Sequence, residues 1–159
     1  MCYGIGTMQF KHSDLEQQWN DPRLRPDLKQ LLSLSDSYSK KKNNKSLIIT
    51  SVFRDGGASV HGHWRGIDVR VSSSDGHGGS IAHFSKDEAD GIRDFVNWIY
   101  RYGEDHSPCI HHDNSGGVGT HLHFQVPALP RFLSIREVAI EAHLRDWMTQ
   151  QMSGFDSWG

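Results

Sequence analysis

The chain has 159 residues, 36% of them hydrophobic and 23% charged, and its 17 Lys and Arg against 19 Asp and Glu leave a net charge of −2. Leu, Ile, Val and Phe number 36, or 23%, just above the level of about 20% below which disorder is the default, so one compact domain with a modest core is expected. No basic run exceeds Lys40-Lys41-Lys42, and apolar runs such as Leu47-Ile48-Ile49 fall far short of the roughly 20 residues of a membrane span, which excludes a phosphate-tracking nucleic-acid protein and stable membrane insertion.

The segment Met1-Cys2-Tyr3-Gly4-Ile5-Gly6 carries neither the basic nor the apolar part of a secretory signal, so synthesis in the cytoplasm is expected. Cys2 and Cys109 are too few for a disulfide scaffold and read as reduced thiols. Pro22 and Pro26 bracket a start, and Leu28, Leu31, Leu32 and Leu34 predict a helix over about 26–39, followed by a polar turn over 40–45. Residues 46–53 are rich in β-branched side chains and predict a strand, ended by Asp55-Gly56-Gly57. Residues 66–71 alternate, with Ile67, Val69 and Val71 on one face and Asp68 and Arg70 on the other, and predict a second, half-buried strand.

Residues 72–80 read as a loop. Ser85 with Glu88 is a capping box, and Ile92, Phe95, Val96, Ile99 and Tyr100 continue it as a helix over about 86–102, with Gly103 as a stop. Residues 104–120 form a long polar loop with room for a short strand over 109–112. The alternation of His121-Leu122-His123-Phe124-Gln125-Val126 predicts a strand with both imidazoles on one face. A second capping box, Ser134 with Glu137, opens a helix over about 134–150 that is expected to pack on the sheet, although a terminal amphipathic helix can also touch a membrane. The expected fold is α+β, a small antiparallel sheet flanked by these helices in a single domain over 1–159 with its core at about 26–126.

Histidine is the compositional outlier, 11 of 159 residues. Zinc takes three or four nitrogen, oxygen or sulfur ligands and leaves a position to water when the site is catalytic. His61 ends a glycine-containing loop, Asp68 lies on the polar face of the next strand, and His121 and His123 lie side by side on a later one. If the two strands are antiparallel neighbours, His61, Asp68 and one imidazole of the pair can converge, leaving the other for proton transfer. His63 is an alternative to His61. His111 and His112 read as loop residues or a cleft wall, and His12, His77, His83, His106 and His143 carry no spacing argument. Trp64 reads as a cleft residue, Trp98 and Trp147 as core.

Ser59-x-His61, Asp68 seven residues later and His121-x-His123 together resemble the zinc peptidase superfamily of D-alanyl-D-alanine metallopeptidases, murein endopeptidases, lysostaphin-type peptidases and hedgehog signalling domains. Arg54 resembles the arginine that the D-alanyl-D-alanine branch places at a strand end before the histidine loop, and the resemblance spans about residues 46–126. That branch usually has Gly and Ala where this chain has Trp64 and Gly66, whereas His121 resembles the murein endopeptidase and lysostaphin-like branches. The resemblance implies one zinc ion per chain held by His61, Asp68 and His123, with a water in the fourth position. It implies His121 as proton carrier, Asp113 as the reserve base, Arg54 as the group that stabilises the oxyanion or holds a substrate carbonyl or carboxylate, and Ser59 as a hydrogen-bonding support of a ligand.

The implied activity is hydrolysis of peptide bonds in the stem peptides of bacterial peptidoglycan, as carboxypeptidase or endopeptidase. The resemblance is to the small lytic enzymes of bacteriophages, monomers made in the cytoplasm that act on the wall once the membrane is breached. Two other readings stay open: a cytoplasmic zinc amidase or peptidase acting on soluble muropeptides, and a non-catalytic binding module that keeps zinc structurally.

Overall fold

A computed structural model describes residues 8–55, 59–77, 79–100, 106–113 and 120–128. The chain divides into a unit ending at Ala128 and a second from Leu129 to Gly159. All described residues belong to the first, and the helix expected over 134–150, Trp147, His143, Cys2 and Gly103 lie outside them. In chain order the elements are β1 (Gln9–Phe10), α1 (Ser13–Asn20), α2 (Pro26–Asn43), β2 (Ile48–Ser51), β3 (Gly66–Arg70), β4 (Ser72–Ser74), β5 (Ser80–Ala82), α3 (Lys86–Ile99), β6 (Cys109–His112) and β7 (His121–Gln125). This is a mixed α+β fold. Five strands form one sheet in the order β1-β2-β3-β7-β6, and β4 and β5 form a separate hairpin.

The sheet is antiparallel except at one edge, where β1 runs parallel to β2. A parallel pair needs a crossover, and α1 and α2 together make it. Neither β1 nor α1 is announced by the sequence: Leu15 and Trp19 are the only large apolar residues of α1, and β1 has two residues. The hairpin replaces the loop expected over 72–80. Three consecutive serines carry no period-two apolar signal, and the turn is closed by Asp75, whose Oδ1 accepts the backbone N–H groups of His77 and Gly79, both at 2.8 Å.

Helix α2 begins at Pro26, whose missing N–H is no loss in a first turn, and runs four residues past the expected end. Lys40, Lys41 and Lys42 stand at its negative C-terminal end, and Asn44 closes it in the left-handed conformation, φ 54°. Asp36 is buried and ties the helix to the following strand: Oδ1 accepts the Leu47 N–H at 2.8 Å while Oδ2 pairs with Lys40. On the core face of the sheet Ile49, Ile67, Val69, Cys109, Leu122 and Phe124 pack with Leu28 and Leu32 of α2 and Ile92 and Val96 of α3. Each fully buried aliphatic side chain there is worth about 1.5–3 kcal/mol against exposure. Burial also pushes the Cys109 thiol pKa up, which suits an inert core cysteine.

The Ser85–Glu88 capping box forms as expected, with Ser85 Oγ 3.2 Å from the Glu88 N–H and Glu88 Oε2 2.7 Å from the Ser85 N–H. The described helix ends at Ile99 with Tyr100 as its cap. Trp98 is not core: nine residues from Ala89, it lies half a turn away from the buried stripe of Ala89, Ile92 and Val96 and is exposed. Asn97 reaches the edge strand β6, donating to the Cys109 carbonyl at 3.1 Å and accepting its N–H at 3.0 Å.

His111 belongs to neither loop nor cleft. It pairs in register with Leu122 on the core face, and its Nδ1 lies 2.8 Å from Asp90 Oδ1 on α3. Asp90 also faces Lys86 and Arg93. Lys86 first and His111 second hold its carboxyl down at about 2. A carboxyl that titrates lower in the folded than in the unfolded chain stabilises fully above its unfolded value of about 3.9 and loses that contribution as pH falls toward the folded value. Asp90→Asn is therefore expected to cost roughly 1 kcal/mol at neutral pH. The gap from the parent in urea unfolding should close between about pH 4 and pH 2; a gap independent of pH would contradict the assignment.

Candidate metal centre

The centre is assembled by a tight turn and two adjacent strands. Between β2 and β3 the chain turns over Ser59 to Arg65, with the N–H groups of His63 and Arg65 donating to the Val60 carbonyl at 3.3 and 2.9 Å and that of Trp64 to the His61 carbonyl at 3.1 Å. Trp64 sits in the left-handed region, φ 58°, where a side chain costs of order 1 kcal/mol. The strain is held by packing. The indole is buried, stacks on Phe53 with ring centroids 4.5 Å apart, and carries the Arg23 guanidinium 4.4 Å from its ring centre. Trp64 is thus part of the wall behind the turn rather than a cleft residue.

Gly66, opening β3, is required by space. A Cβ there would lie 2.7 Å from Val60 Cγ2 and 3.3 Å from both His123 Cε1 and the His61 backbone nitrogen. The absence of a side chain lets the turn lie against the strands and brings His61 over Asp68. The register between β3 and β7 pairs Asp68 with His123 and Arg70 with His121, so the four side chains share one face of the sheet. A bulge in β2 between Ile49 and Ser51 places Ser51 opposite Asp68 and turns the outgoing chain so that Arg54 comes back over the same carboxylate.

Asp68 is the hub, 3% exposed. Its Oδ1 lies 2.8 Å from His123 Nδ1, 3.2 Å from His61 Nε2 and 3.9 Å from His121 Nε2. Its Oδ2 is paired with Arg54, whose Nε donates to Ser51 Oγ at 2.8 Å. Burial pushes the Asp68 carboxyl up, but the hydrogen bonds from His123 and His61 outweigh it and hold the group well below the usual carboxylate range. His61 is buried too, and its Nδ1 lies 2.8 Å from the Val52 carbonyl, which fixes the proton on Nδ1 and turns Nε2 toward Asp68.

One atom from each of His61, Asp68 and His123 falls within a span of 4.8 Å, a group that could hold a metal ion. The donor set fits such an ion. Two imidazoles and one carboxylate make a familiar three-ligand shell, and ligands about 2.0–2.2 Å from a tetrahedral centre lie roughly 3.4 Å from one another. The His61–Asp68 separation is already close to that value, and the His123–Asp68 pair would open by about half an ångström. Comparison with protein-family models, curated proteins and solved structures finds no match for this chain.

The remaining nominated residues are placed less centrally. His63 is exposed on the turn, and Asp113 is exposed just past β6, with no hydrogen bond to the cluster among the described residues. Ser59 Oγ accepts the Gly62 N–H at 3.3 Å and so braces the turn that carries His61. Arg54 is joined to the ligand carboxylate itself, the ordinary salt-bridge role of a strand-end arginine. His83 donates from Nε2 to the Ser46 carbonyl in the loop before β2, at 2.8 Å, and His12, His77 and His106 are exposed.

His112, read from the sequence as a loop residue or cleft wall, stands on a strand beside the imidazoles of the centre. β6 pairs it with His121, and its ring centroid lies 4.9 Å from that of His121 and 5.9 Å from that of His123. Burial first, and the neighbouring imidazoles His121 and His123 second, lower its pKa. The available signal was the alternation of Cys109-Ile110-His111-His112 read against the later strand, which sends His111 to the core and His112 to the imidazole face.

Gly66 offers a sharp test of this geometry. Gly66→Ala is expected to leave a folded protein whose metal affinity falls about tenfold or more, measured by competitive titration with a chromophoric chelator. Unchanged affinity would mean that the turn does not set the ligand positions. Trp64→Ala is expected to cost about 3 kcal/mol or more in chemical unfolding, and Trp64→Gly about 1 kcal/mol less than that, because glycine accepts the positive φ; the opposite order would overturn the strain argument.

Proposed function

We propose that the protein is a zinc-dependent peptidase of bacterial peptidoglycan, related to the superfamily of D-alanyl-D-alanine metallopeptidases, murein endopeptidases and lysostaphin-type peptidases. The observation that carries the reading is the convergence of His61, Asp68 and His123 on one face of a sheet that also presents His121 and His112. The substrate class rests on the resemblance of Arg54, Ser59-x-His61, Asp68 and His121-x-His123 to that superfamily. In this reading the enzyme is made in the cytoplasm and reaches the wall after the membrane is breached. No helix among the described residues is long and apolar enough to cross a membrane.

Zinc held by these three residues would supply Lewis acidity and would lower the pKa of a water from 15.7 to about 7. The chain supplies the rest. The Val52 carbonyl accepts the His61 Nδ1 proton, which leaves Nε2 as the nitrogen that faces Asp68 and would hold the ion. Arg54 occupies Asp68 Oδ2 and leaves Oδ1 as the donor. His121, beside Asp68 and outside the ligand set, accepts the proton of the attacking water as the carbonyl becomes tetrahedral, then returns it to the amine nitrogen as the C–N bond breaks. His112, packed on His121 and biased toward its neutral form by burial, offers a second imidazole through which that proton can be relayed. Arg54, more than half exposed, keeps guanidinium edges available to a substrate carbonyl at the rim.

Plasma mass spectrometry is expected to find about one zinc per chain, lost in His123→Ala and Asp68→Asn together with the digestion of sacculi. His121→Ala should keep its zinc and lose about 100-fold or more in turnover. Full activity in a metal-free variant would sink the mechanism. Zinc retention with no hydrolysis of either sacculi or soluble muropeptides would favour a binding module, and hydrolysis of soluble muropeptides alone would favour a cytoplasmic processing enzyme.

A further inference from the structure

Arg70 is a cation on the face of the candidate metal centre, with no ion-pair or hydrogen-bond partner among the described residues. It stands two residues past Asp68 on β3, so its side chain emerges on the same face about 7 Å further along the strand. The register sets it directly opposite His121, and His121 in turn opposite His112, so the row beside the ligands reads Arg70, His121, His112 across three strands. Arg70 is half-buried, and among the described residues neither a carboxylate nor a hydrogen-bond acceptor holds its guanidinium. The neighbouring cations are already engaged: Arg65 is held by the Val126 carbonyl at 2.9 Å, and Arg54 is joined to Asp68 and Ser51, which leaves only its outer edges at the rim. A partly desolvated guanidinium without a counter-charge is unfavourable, and an arriving carboxylate removes that cost through charge-assisted hydrogen bonds.

We propose that Arg70 is a specificity-determining residue that binds a carboxylate of the substrate on the leaving side of the scissile bond. The inference rests on the peptidase reading and deepens it. In a peptide cleaved before its last residue, the scissile carbonyl and the terminal carboxylate flank a single residue, and successive Cα atoms are about 3.8 Å apart. An arginine side chain rooted about 7 Å from the ligand row spans the remainder. Two sources supply the same chemistry, a free C-terminal carboxylate or an acidic side chain next to the cleaved bond, and the first makes the enzyme a carboxypeptidase.

The test uses the zinc-loaded full chain and a synthetic stem pentapeptide of peptidoglycan in three forms: free acid, C-terminal amide, and free acid with its internal glutamyl carboxylate amidated. Steady-state kinetics are run on the parent, Arg70→Gln and Arg70→Lys, and calorimetric binding of the same peptides on the slow His121→Ala protein with and without Arg70→Gln. Amidation of the C-terminus is expected to reduce kcat/KM and binding by about 10- to 100-fold when Arg70 is present, mainly through KM. In Arg70→Gln the acid and the amide should become equivalent, with zinc content unchanged, and Arg70→Lys should restore part of the preference. A loss on amidating the internal glutamyl group instead would assign the side-chain carboxylate as the one bound. Equal weakening of all three peptides in Arg70→Gln, or no discrimination among them by the parent, would overturn the proposal. If the zinc-loaded parent hydrolyses none of them, the peptidase reading fails on its own, and calorimetry on the uncleaved peptides still decides whether Arg70 selects a carboxylate.

Discussion

A carboxylate almost closed off from water in the middle of a sheet is costly unless every lone pair is met, and Asp68 meets this demand on both oxygens. Oδ1 is faced by imidazoles from a turn and from β7, and Oδ2 by a guanidinium delivered through the bulge at the end of β2. Three separate stretches of chain therefore converge on one side chain, and the order of strands around β3 is what makes this possible. The demand also runs outward. His61 is oriented by the Val52 carbonyl, Arg54 by Ser51, and the turn itself by Ser59, so the arrangement extends well past the residues grouped around the carboxylate.

Much of this was readable beforehand, for physical reasons that can be named. Helices α2 and α3 and strands β2, β3, β6 and β7 carry the periodicities or cap signals that their burial requires; alternation brings Asp68 to the same face as the His121–His123 pair if the strands are antiparallel neighbours, and the register then sets His123 opposite it. What stayed hidden depends on contacts between distant segments. The two-residue β1 exists because α1 and α2 carry the chain across to a parallel partner. The β4–β5 hairpin is built from serines and held by a single Asp75 turn. His111 and His112 are chemically identical neighbours, and only the pairing of β6 with β7 separates the core histidine from the one on the imidazole face.

Two positions in the turn show how local strain and local emptiness are combined. Trp64 accepts an unfavourable backbone conformation because its indole is clamped between Phe53 and Arg23, while Gly66 gives up a side chain so that the backbone of the turn can approach the sheet. The first fixes the turn by filling space and the second by leaving it. Together they hold His61 in place, and among the described residues its ring meets only the Val52 carbonyl and the shared carboxylate by hydrogen bonding.

The Asn97 amide, bonded to both backbone groups of Cys109, takes the place that a sixth strand would occupy beside β6. An edge capped in this way does not template pairing with another chain at that point. It also fastens the strand that ends in His112 to α3 at two points, through Asn97 on Cys109 and Asp90 on His111, so the helix and this edge of the imidazole face are built as one piece.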